Sequence, residues 1–570
     1  MKGHPLGDAS RSEILRVCRE AASPDNIIAA SIHDSHLGGN ADKKNDVSAL
    51  LVLDSTRTSL KYRTESIEDV TISVLMVDQK TFEKDVERDW LGGLLVENML
   101  VPYEPLINGD FLWDQEVKTK KRIIAEILGN LVLEYPEMSH ELLIKPEYFM
   151  FEAMARKASL YPPISYRFLE VFGGELGEQN RESVMEGFRA ALETVAEDEL
   201  ITLSEGYVKI TGTYVDTVQR RKLRVLNLLK VVRNSILRHS FEVFPKMMHS
   251  MIEDYVQYVK HFVEGGKSKR ILLPELEDPK RHIFIPTSSG PVSLSDKITI
   301  EGFVRKAIPD AEDVEADIER LGGVLNAVYT LKLHKEKEER VIVKVFKDWY
   351  GWKWFPLALW ALGTRGFAVL GKSRLEREYA INRFLSGQGF NVPRIIYVSP
   401  KERLIFQEYV EGKNLAEIIE QLCSSTEERA CLASTIKGVG SEIAKVHESG
   451  VALGDCKPEN IIISRDGKIY FVDLEQAERG GDQAWDIAEL LYYSGHYASV
   501  APVEAVRTIA REFTQGYLGS GGRIRNIKKA RSPRYVKVFS FFTPPRVLTV
   551  ISDTCEEVLK SANPEQTGRL

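Results

Sequence analysis

Short runs of apolar and β-branched residues divide the C-terminal half of the chain into alternating strands and helices. Residues 341–345 form a β-branched run with one lysine at its centre, and residues 327–331 are placed to be its hairpin partner. Residues 373–385 predict a charged helix, and residues 404–412 predict a strand that runs into a loop. These elements therefore follow one another in the order strand, strand, helix, strand.

A second hairpin follows and has polar side chains at both of its ends. Residues 461–463 and 469–472 are short apolar runs on either side of an Asp-Gly turn. Asp455 and Asn460 lie on the loop before the first strand, and Asp473 ends the second strand. The pattern therefore predicts that Asp473 lies beside Asn460.

This loop carries the groups that phosphoryl transfer needs. One carboxylate orients the attacking hydroxyl, an amide oxygen and a second carboxylate hold magnesium on the nucleotide, and a lysine neutralises developing phosphate charge. Asp455 and Lys457 are accordingly the candidate catalytic residues, and Asn460 and Asp473 are the candidate metal ligands. The alternative is a surface hairpin that is rich in carboxylates. Several independent elements in the expected order favour the catalytic interpretation.

Other residues are candidates for contacts with ATP. Lys344 is the candidate cation for the α- and β-phosphates, although a lysine in such a strand is more commonly an edge-strand charge. The predicted helix carries Glu376 and Glu378. Glu378 is favoured as the partner of Lys344, with a solvated charged face as the alternative. The remaining candidates are the glycines Gly322 and Gly323, which permit close backbone approach to phosphates, the hinge residues Glu408 and Val410, and Asp486, which braces the catalytic loop.

The loop Gly454-Asp455, followed by Asn460, resembles the protein-kinase superfamily. The similarity is to the atypical branch that holds the RIO kinases and the small kinase of the KEOPS complex, and it covers about the last half of the chain. Residues 346–350 are similar in character to the corresponding segment of the KEOPS kinase. The resemblance implies a bilobal protein-kinase-like fold that binds ATP and magnesium between its lobes. The implied roles are an ion pair for Lys344 and Glu378, catalysis for Asp455, and metal binding for Asn460 and Asp473.

Two departures from the family pattern bear on the acceptor. The histidine usual before Gly-Asp is Leu453, and the magnesium motif reads Asp473-Leu474-Glu475, with glutamate in place of the usual glycine. Glu475 argues against a flipping activation segment and for a constitutively posed site. Lys457 resembles the loop lysine of Ser/Thr kinases, yet no substrate-docking Ala-Pro-Glu follows. Recognition of a peptide in the ordinary way is therefore in doubt.

A competing motif covers residues 366–373, which match the written pattern of a P-loop. A phosphate-cradling loop needs a strand, a tight polar turn and a helix. The four intervening residues here are apolar, and residues 354–362 before them predict a helix. The context therefore disfavours the P-loop.

The composition is that of an ordinary multidomain globular protein. The 570 residues carry a formal net charge of −7 at pH 7, so a nucleic-acid surface would have to be local. The five cysteines are scattered without zinc-type spacing, and no signal peptide begins the chain, which favours a reducing, cytoplasmic location. The aromatic run 349–370 is interrupted by charges and a proline, so no membrane span is expected. The sequence does not indicate an oligomeric state.

The first part of the chain resembles the nucleotidyltransferase superfamily. The family pattern is Gly-Ser, a loop, and then two aspartates entering a strand, which bind two metals. Here Ser35 and Asp46 match, whereas Asp34 and Ser48 replace the glycine and the second aspartate, and Asp69 is a doubtful third carboxylate. Residues 8–136 are therefore predicted to be an inactive nucleotidyltransferase-like α/β domain. The alternative is a plain α/β domain in which Asp46 merely starts a strand.

The remaining boundaries follow from local patterns. Residues 137–264 predict a helical region with a winged-helix-like module, in which a helix over 183–195 leads into a hairpin over 200–210. Residues 265–310 predict a linker and lead-in, residues 311–545 the kinase-like domain, and residues 546–570 a C-terminal tail. The predicted fold class is thus multidomain, α/β and α+β.

Two stretches are locally basic. The helix after the predicted wing carries seven basic residues, for which a solvated or protein-docking face is the alternative to a phosphate track: Arg220, Arg221, Lys222, Arg224, Lys230, Arg233 and Arg238. The second stretch has no acidic residue between its basic ones: Arg523, Arg525, Lys528, Lys529, Arg531, Arg534 and Lys537. The KEOPS-type kinase has a basic tail near transfer RNA, so the resemblance implies an RNA contact here, with a solubilising segment as the alternative.

The sequence thus predicts an ATP- and magnesium-dependent atypical kinase that transfers the γ-phosphoryl group to a Ser or Thr hydroxyl of a protein. Two alternatives stay open. One is an ATPase of the KEOPS-kinase type that acts as an RNA-associated regulatory switch, and the other is a small-molecule phosphotransferase, because the same fold serves both.

Overall fold

The chain folds into two compact units, one of residues 1–285 and 293–295 and the other of residues 286–292 and 296–570. The computed structural model describes residues 8–23, 25–34, 46–54, 60–67, 70–91, 95–160, 164–173, 176–220, 277–307, 316–321, 327–334, 338–347, 370–424, 429–498, 501–540 and 543–562.

The first unit begins with a mixed five-stranded sheet in the order β3-β4-β2-β1-β5. Its strands are β1 (Ile27–Asp34), β2 (Asp46–Leu53), β3 (Leu60–Ile67), β4 (Val70–Asp78) and β5 (Glu104–Ile107). β2 and β4 run parallel, and the other neighbours that pair are antiparallel. The helices of this part are α1 (Asp8–Ala22), α2 (Gln79–Arg88) and α3 (Gly109–Glu134). Apolar residues of α1 pack on one face of the sheet, and those of α2 and α3 pack on the other.

Four more helices and three short strands follow in the first unit. The helices are α4 (Glu147–Leu160), α5 (Ile164–Gly173), α6 (Gly177–Glu197) and α7 (Gly212–Arg220), and the strands are β6 (Leu143–Ile144), β7 (Ile201–Ser204) and β8 (Tyr207–Ile210). The turn between β7 and β8 places Glu205 and Gly206 at φ 52° and 78°, the left-handed pair that a tight two-residue hairpin requires. A helix followed by a hairpin is thus present where the winged-helix-like module is predicted.

Several predictions for the first half concern residues outside the described ranges. Ser35 and Asp69 lie outside them, as do the six basic residues from Arg221 to Arg238 and the predicted linker up to residue 276. Asp46 is the first residue of β2, and Ser48 pairs with His33 of β1. The nucleotidyltransferase-like domain and the domain boundaries stay predictions.

The hairpin β9 (Ile283–Thr287) and β10 (Gly290–Ser293) precedes the small lobe of the second unit. The lobe's antiparallel sheet has the order β11-β12-β13-β15-β14. Its strands are β11 (Ala316–Leu321), β12 (Ala327–His334), β13 (Glu338–Val345), β14 (Ile395–Ser399) and β15 (Leu404–Glu408), and its helices are α8 (Ile300–Ala307) and α9 (Gly371–Gly387). On one face Phe303 of α8 stacks on Phe406 of β15, with ring centroids 4.0 Å apart. The predicted strands and helix of this region are confirmed.

The large lobe is mainly helical. Its helices are α10 (Leu415–Ser424), α11 (Arg429–Glu448), α12 (Gln483–Tyr497), α13 (Val503–Gly519), α14 (Ile524–Ala530), α15 (Pro533–Phe539) and α16 (Pro545–Ala562). Short strands accompany them: β16 (Gly412–Asn414), β17 (Val451–Ala452), β18 (Ile461–Ser464), β19 (Ile469–Phe471) and β20 (Glu478–Arg479). One apolar core joins these helices, and it includes Val547, Ile551 and Leu559 of α16, so the segment predicted as a tail contributes buried residues.

No described helix is both long enough and apolar enough to cross a membrane. The aromatic run up to residue 369 falls outside the described ranges, as does the first half of the P-loop-like segment, residues 366–369. The last three residues of that segment, Gly371 to Ser373, form the first turn of α9.

Candidate active site

Lys344 lies on the inner strand β13, between β12 and β15. Alternation along the strand places it on the face opposite Val343, which is in the apolar core of the small lobe. Its Nζ lies 2.8 Å from Oε1 of Glu378 on α9 and 3.1 Å from Oδ1 of Asp473. Glu378, which the sequence favours over Glu376, is thus a residue that contacts Lys344.

The charge state of Lys344 follows from these two carboxylates. Burial by itself lowers the pKa of a lysine, but Asp473 and Glu378 outweigh that effect and raise the pKa of Lys344 above its ordinary value. Burial likewise favours the neutral form of Asp473, yet Lys344 and Lys457 hold the pKa of that carboxyl below its ordinary range. The site therefore contains a buried cation and a partly exposed anion that stay charged together.

Gln407 of β15 is a member of this cluster that sequence analysis missed. Its Nε2 donates a hydrogen bond of 2.8 Å to Oε1 of Glu378, the same oxygen that binds Lys344. Only 2% of Gln407 is exposed. A polar residue that ends the apolar run Leu404 to Phe406 was the signal available in the sequence.

The loop that carries Asp455 is held by helix α12. Asp486 is fully buried, and its two oxygens accept hydrogen bonds from the backbone N–H groups of Leu453 and Gly454 at 2.6 and 2.7 Å. Glu489, one turn further on, accepts the N–H of Cys456 at 2.7 Å. Three backbone N–H groups of the loop are thus fixed by carboxylates of one helix, and the predicted bracing by Asp486 is confirmed.

Asp455, Lys457 and Asn460 contact one another. Lys457 Nζ lies 2.9 Å from Oδ2 of Asp455, and Asn460 Nδ2 donates to the same oxygen at 3.0 Å and to the Asp455 carbonyl at 2.9 Å. Within the described ranges, Oδ1 of Asp455 and Oδ1 of Asn460 accept no hydrogen bond. The loop therefore leaves one carboxylate oxygen and one amide oxygen available to a ligand.

Asp473 joins the same cluster through the hairpin. Val472 N–H donates to the carbonyl of Asn460 at 2.9 Å, so the strand end lies beside the loop as predicted. Asp473 has φ +62°, a left-handed conformation that a non-glycine residue keeps only when its surroundings fix it. Asp455, Asn460 and Asp473 line one pocket.

The oxygens at this pocket suit a hard divalent cation. Magnesium is usually bound by one or two carboxylates together with substrate phosphates and water. Among the residues that the structure describes, no group of three or more His, Cys, Asp or Glu side chains is arranged to hold a metal. A carboxylate and an amide oxygen at one pocket match this magnesium pattern, in which a nucleotide supplies the other ligands.

The structure does not show the four other predicted nucleotide contacts. Gly322 and Gly323 lie outside the described residues. Glu408 ends β15, and its carboxylate accepts from Arg394 Nε at 2.5 Å, so a contact with adenine from this residue would come from its backbone. Val410 lies two residues further along the loop. The adenine contacts of Glu408 and Val410 stay predictions.

The basic C-terminal stretch is partly neutralised by acids that are distant in sequence. Lys529 pairs with Asp482 at 2.9 Å, and Arg531 pairs with Glu556 at 2.5 Å. These pairs tie this stretch to other elements of the large lobe. The RNA contact stays a prediction, and it would depend on the other basic residues of the stretch.

Comparison with known proteins places the kinase similarity in this region. Residues 334–494 match the model of the lipopolysaccharide kinase (Kdo/WaaP) family, which is less than a third of the chain. The chain is 38% identical over 109 residues to the KEOPS complex subunit Bud32 of Pyrococcus abyssi, covering 19% of this chain and 47% of that protein. The predicted similarity to the KEOPS kinase is therefore confirmed, and the Kdo/WaaP match was not anticipated.

Two further relatives differ in the acceptors that their names state. The "Probable serine/threonine-protein kinase BUD32 homolog" of Archaeoglobus fulgidus is 28% identical over 165 residues, covering 28% of this chain and 76% of that protein. The "3-deoxy-D-manno-octulosonic acid kinase" of Vibrio vulnificus is 27% identical over 143 residues, covering 25% and 54%. The chain spans about half the length of the first two curated relatives it matches, 47% and 49%. The family match does not extend to residues 8–136.

Proposed function

We propose that the second unit is an ATP- and magnesium-dependent phosphotransferase that moves the γ-phosphoryl group of ATP to a hydroxyl. The observation that carries the proposal is the convergence of Asp455, Asn460 and Asp473 at one pocket, with Lys344 in contact with Asp473, within a segment that is similar to kinases. In phosphoryl transfer the protein contributes mainly position and charge, and these four groups supply both.

Each side chain has a role that its contacts support. Glu378 holds Lys344 in place to bind the nucleotide phosphates, and Asn460 Oδ1 and the carboxylate of Asp473 are the groups that would hold magnesium. When bound, magnesium supplies charge neutralisation on the transferring phosphate. Asp455 orients the acceptor hydroxyl and takes its proton at Oδ1, since Oδ2 is engaged by Lys457 and Asn460. Lys457, which carries a positive charge, stabilises the transferred group.

The first candidate acceptor is a Ser or Thr hydroxyl of a protein. Lys457 resembles the loop lysine of Ser/Thr kinases. The relative from Archaeoglobus fulgidus is named as a probable serine/threonine-protein kinase, and the match to this chain covers 76% of its length.

A small-molecule hydroxyl is the second candidate. The family match over residues 334–494 and the similarity to an octulosonic acid kinase support it. Hydrolysis of ATP stimulated by RNA is the third outcome that an assay has to separate.

The test uses the full chain and ATP labelled in the γ-phosphate. Four reactions are compared: protein alone, and protein with a mixture of proteins, with 3-deoxy-D-manno-octulosonic acid, or with transfer RNA. Label on protein supports the first acceptor, label on the sugar acid supports the second, and free phosphate raised by RNA supports the ATPase. Asp455→Asn is the control, and we expect it to lower transfer by about 10²- to 10⁴-fold. The proposal would be refuted if the natural chain and Asp455→Asn gave equal amounts of transferred label and of free phosphate in all four reactions.

A further inference from the structure

Arg374 and Glu475 form a buried ion pair beside the site, and none of the proposed roles uses it. Arg374 Nη2 contacts both carboxylate oxygens of Glu475, at 2.8 and 2.7 Å. The side chain of Arg374 is fully buried, and that of Glu475 is 4% exposed. A two-oxygen contact between buried charges fixes the relative position of the two chain segments more firmly than a single contact does.

Arg374 also contacts the end of the strand that carries Lys344. Its Nη1 donates to the carbonyl of Lys347 at 3.0 Å, and its guanidinium lies over the Phe346 ring at 5.9 Å. Helix α9 begins against this strand end, because a Cβ added to Gly371 would lie 2.4 Å from the Phe346 carbonyl oxygen. One turn after Arg374, the same helix carries Glu378, the partner of Lys344.

Glu475 lies two residues after Asp473, whose left-handed backbone needs support from its surroundings. On one side, Leu474 is buried in the large-lobe core. On the other side, Glu475 is held by Arg374. The glutamate that replaces the kinase glycine therefore has a partner, 101 residues earlier in the chain, that anchors it.

We propose that Arg374 and Glu475 are a positioning pair that holds the Asp473 carboxylate in register with Lys344 and Glu378, so that the metal-binding and phosphate-binding groups are fixed together before the nucleotide arrives. The inference rests on the proposed function, because it concerns how the same site holds magnesium. The inference goes beyond the proposed function because it assigns a task to two residues that none of the proposed roles uses.

The pair predicts a specific pattern of nucleotide binding. Without metal, affinity for ATP depends mainly on Lys344, which has a direct contact with Glu378 that does not involve the pair. With magnesium, affinity depends in addition on the position of Asp473. Residues that orient metal ligands change metal affinity by roughly 10- to 100-fold when they are replaced. Loss of the pair should therefore reduce the gain in affinity that magnesium provides and leave metal-free binding nearly unchanged.

The experiment measures binding of a non-hydrolysable fluorescent ATP analogue with and without magnesium. Three variants are compared with the natural chain: Arg374→Lys, Glu475→Gln and the double variant Arg374→Met/Glu475→Leu. The double variant replaces a buried ion pair by apolar groups, a change that usually keeps the fold. The matched control is Arg122→Met, which removes a largely buried arginine paired with Asp89 at 2.9 Å in the first unit. Thermal unfolding establishes that each protein is folded.

We expect the magnesium-dependent gain in affinity to fall by roughly 10-fold or more in Glu475→Gln and in the double variant, and by less in Arg374→Lys, with metal-free affinity within about twofold. Arg122→Met should bind like the natural chain. An unchanged magnesium dependence in the folded variants overturns the proposal, as does an equal loss of binding with and without metal, which would indicate a merely structural pair. Absence of nucleotide binding in the natural chain would instead refute the proposed function.

Discussion

Lys344 in the second unit and Lys120 in the first are both buried lysines, and their environments shift their pKa values in opposite directions. Lys120 is fully buried in α3, where its Nζ contacts Glu116 and donates to the carbonyl of Val184 at 2.7 Å. Burial lowers the pKa of Lys120, and Glu116 opposes this only in part. Lys344 has two carboxylate partners, which raise its pKa despite burial.

The difference teaches how a structural cation is distinguished from a functional one. Other protein groups surround Lys120 and its partner: Tyr103 donates a hydrogen bond of 2.8 Å to Glu116, and the centroid of the Phe188 ring lies 4.8 Å from Lys120 Nζ. Around Lys344 one partner, Asp473, also lines a pocket. A cation shared with a carboxylate at a pocket can bind a phosphate there, whereas a cation enclosed by its partners stabilises packing.

The largest effect is expected from removing the pocket carboxylate. Asp473→Asn removes the charge that we propose holds magnesium and should lower ATP-dependent phosphoryl transfer by about 10³-fold or more, since charge placed at the phosphate accounts for most of the catalysis. Transfer from labelled ATP measures it, with thermal unfolding as the control for folding. Transfer within about threefold of the natural chain would remove Asp473 from its role.

The structural lysine should respond in stability and not in catalysis. Lys120→Met leaves Glu116 buried without its cation and should lower the free energy of unfolding of the first unit by about 3 to 5 kcal/mol. Lys120→Met/Glu116→Leu replaces both charges by apolar groups and should recover most of that loss. Denaturant unfolding measures both variants. Equal destabilisation in the single and the double variant would show that the cost does not come from the unpaired carboxylate.

A smaller effect is expected from pH. Burial lowers the pKa of His33 in β1 to about 3, with a further contribution from Arg167. Below about pH 6.5 the unfolded chain binds a proton at His33 that the folded unit does not bind. The free energy of unfolding is therefore highest above that pH and decreases as the pH falls toward 3. Between pH 7 and 5.5 the first unit should lose about 1 kcal/mol. His33→Asn should flatten the pH dependence of denaturant unfolding in this window, and an unchanged slope would contradict the assignment.

The sequence predicted those parts of the site that local patterns determine. The Asp-Gly hairpin brought Asp473 to Asn460, because that contact depends on residues close in sequence. The pairing of Lys344 with Glu378 came from the kinase pattern of a strand lysine and a helix glutamate. The pair of Arg374 and Glu475 could not be predicted this way, since its members are 101 residues apart and no spacing rule joins them. Glu475 was interpreted only as the loss of a glycine.

The same limit explains what was missed elsewhere. Arg531 and Lys529 belong to a run without acids, yet their partners Glu556 and Asp482 come from outside that run. Lys120 and Glu116 have the four-residue spacing of a surface helical pair, and only the packing of α6 against α3 makes them a buried one. The sequence therefore shows where the charged residues are, whereas the fold determines which of them are neutralised by an ion pair.

The central claim is that Lys344 and Asp473 form a binding site for ATP with magnesium. The measurement that tests it most directly is the affinity of a non-hydrolysable ATP analogue, with and without magnesium, for Lys344→Met and for Lys120→Met/Glu116→Leu. We expect the Lys344 variant to lose at least about 10-fold in affinity, as for a buried charge that contacts phosphate, and the Lys120 and Glu116 double variant to bind like the natural chain. Binding by the Lys344 variant equal to that of the natural chain would contradict the account.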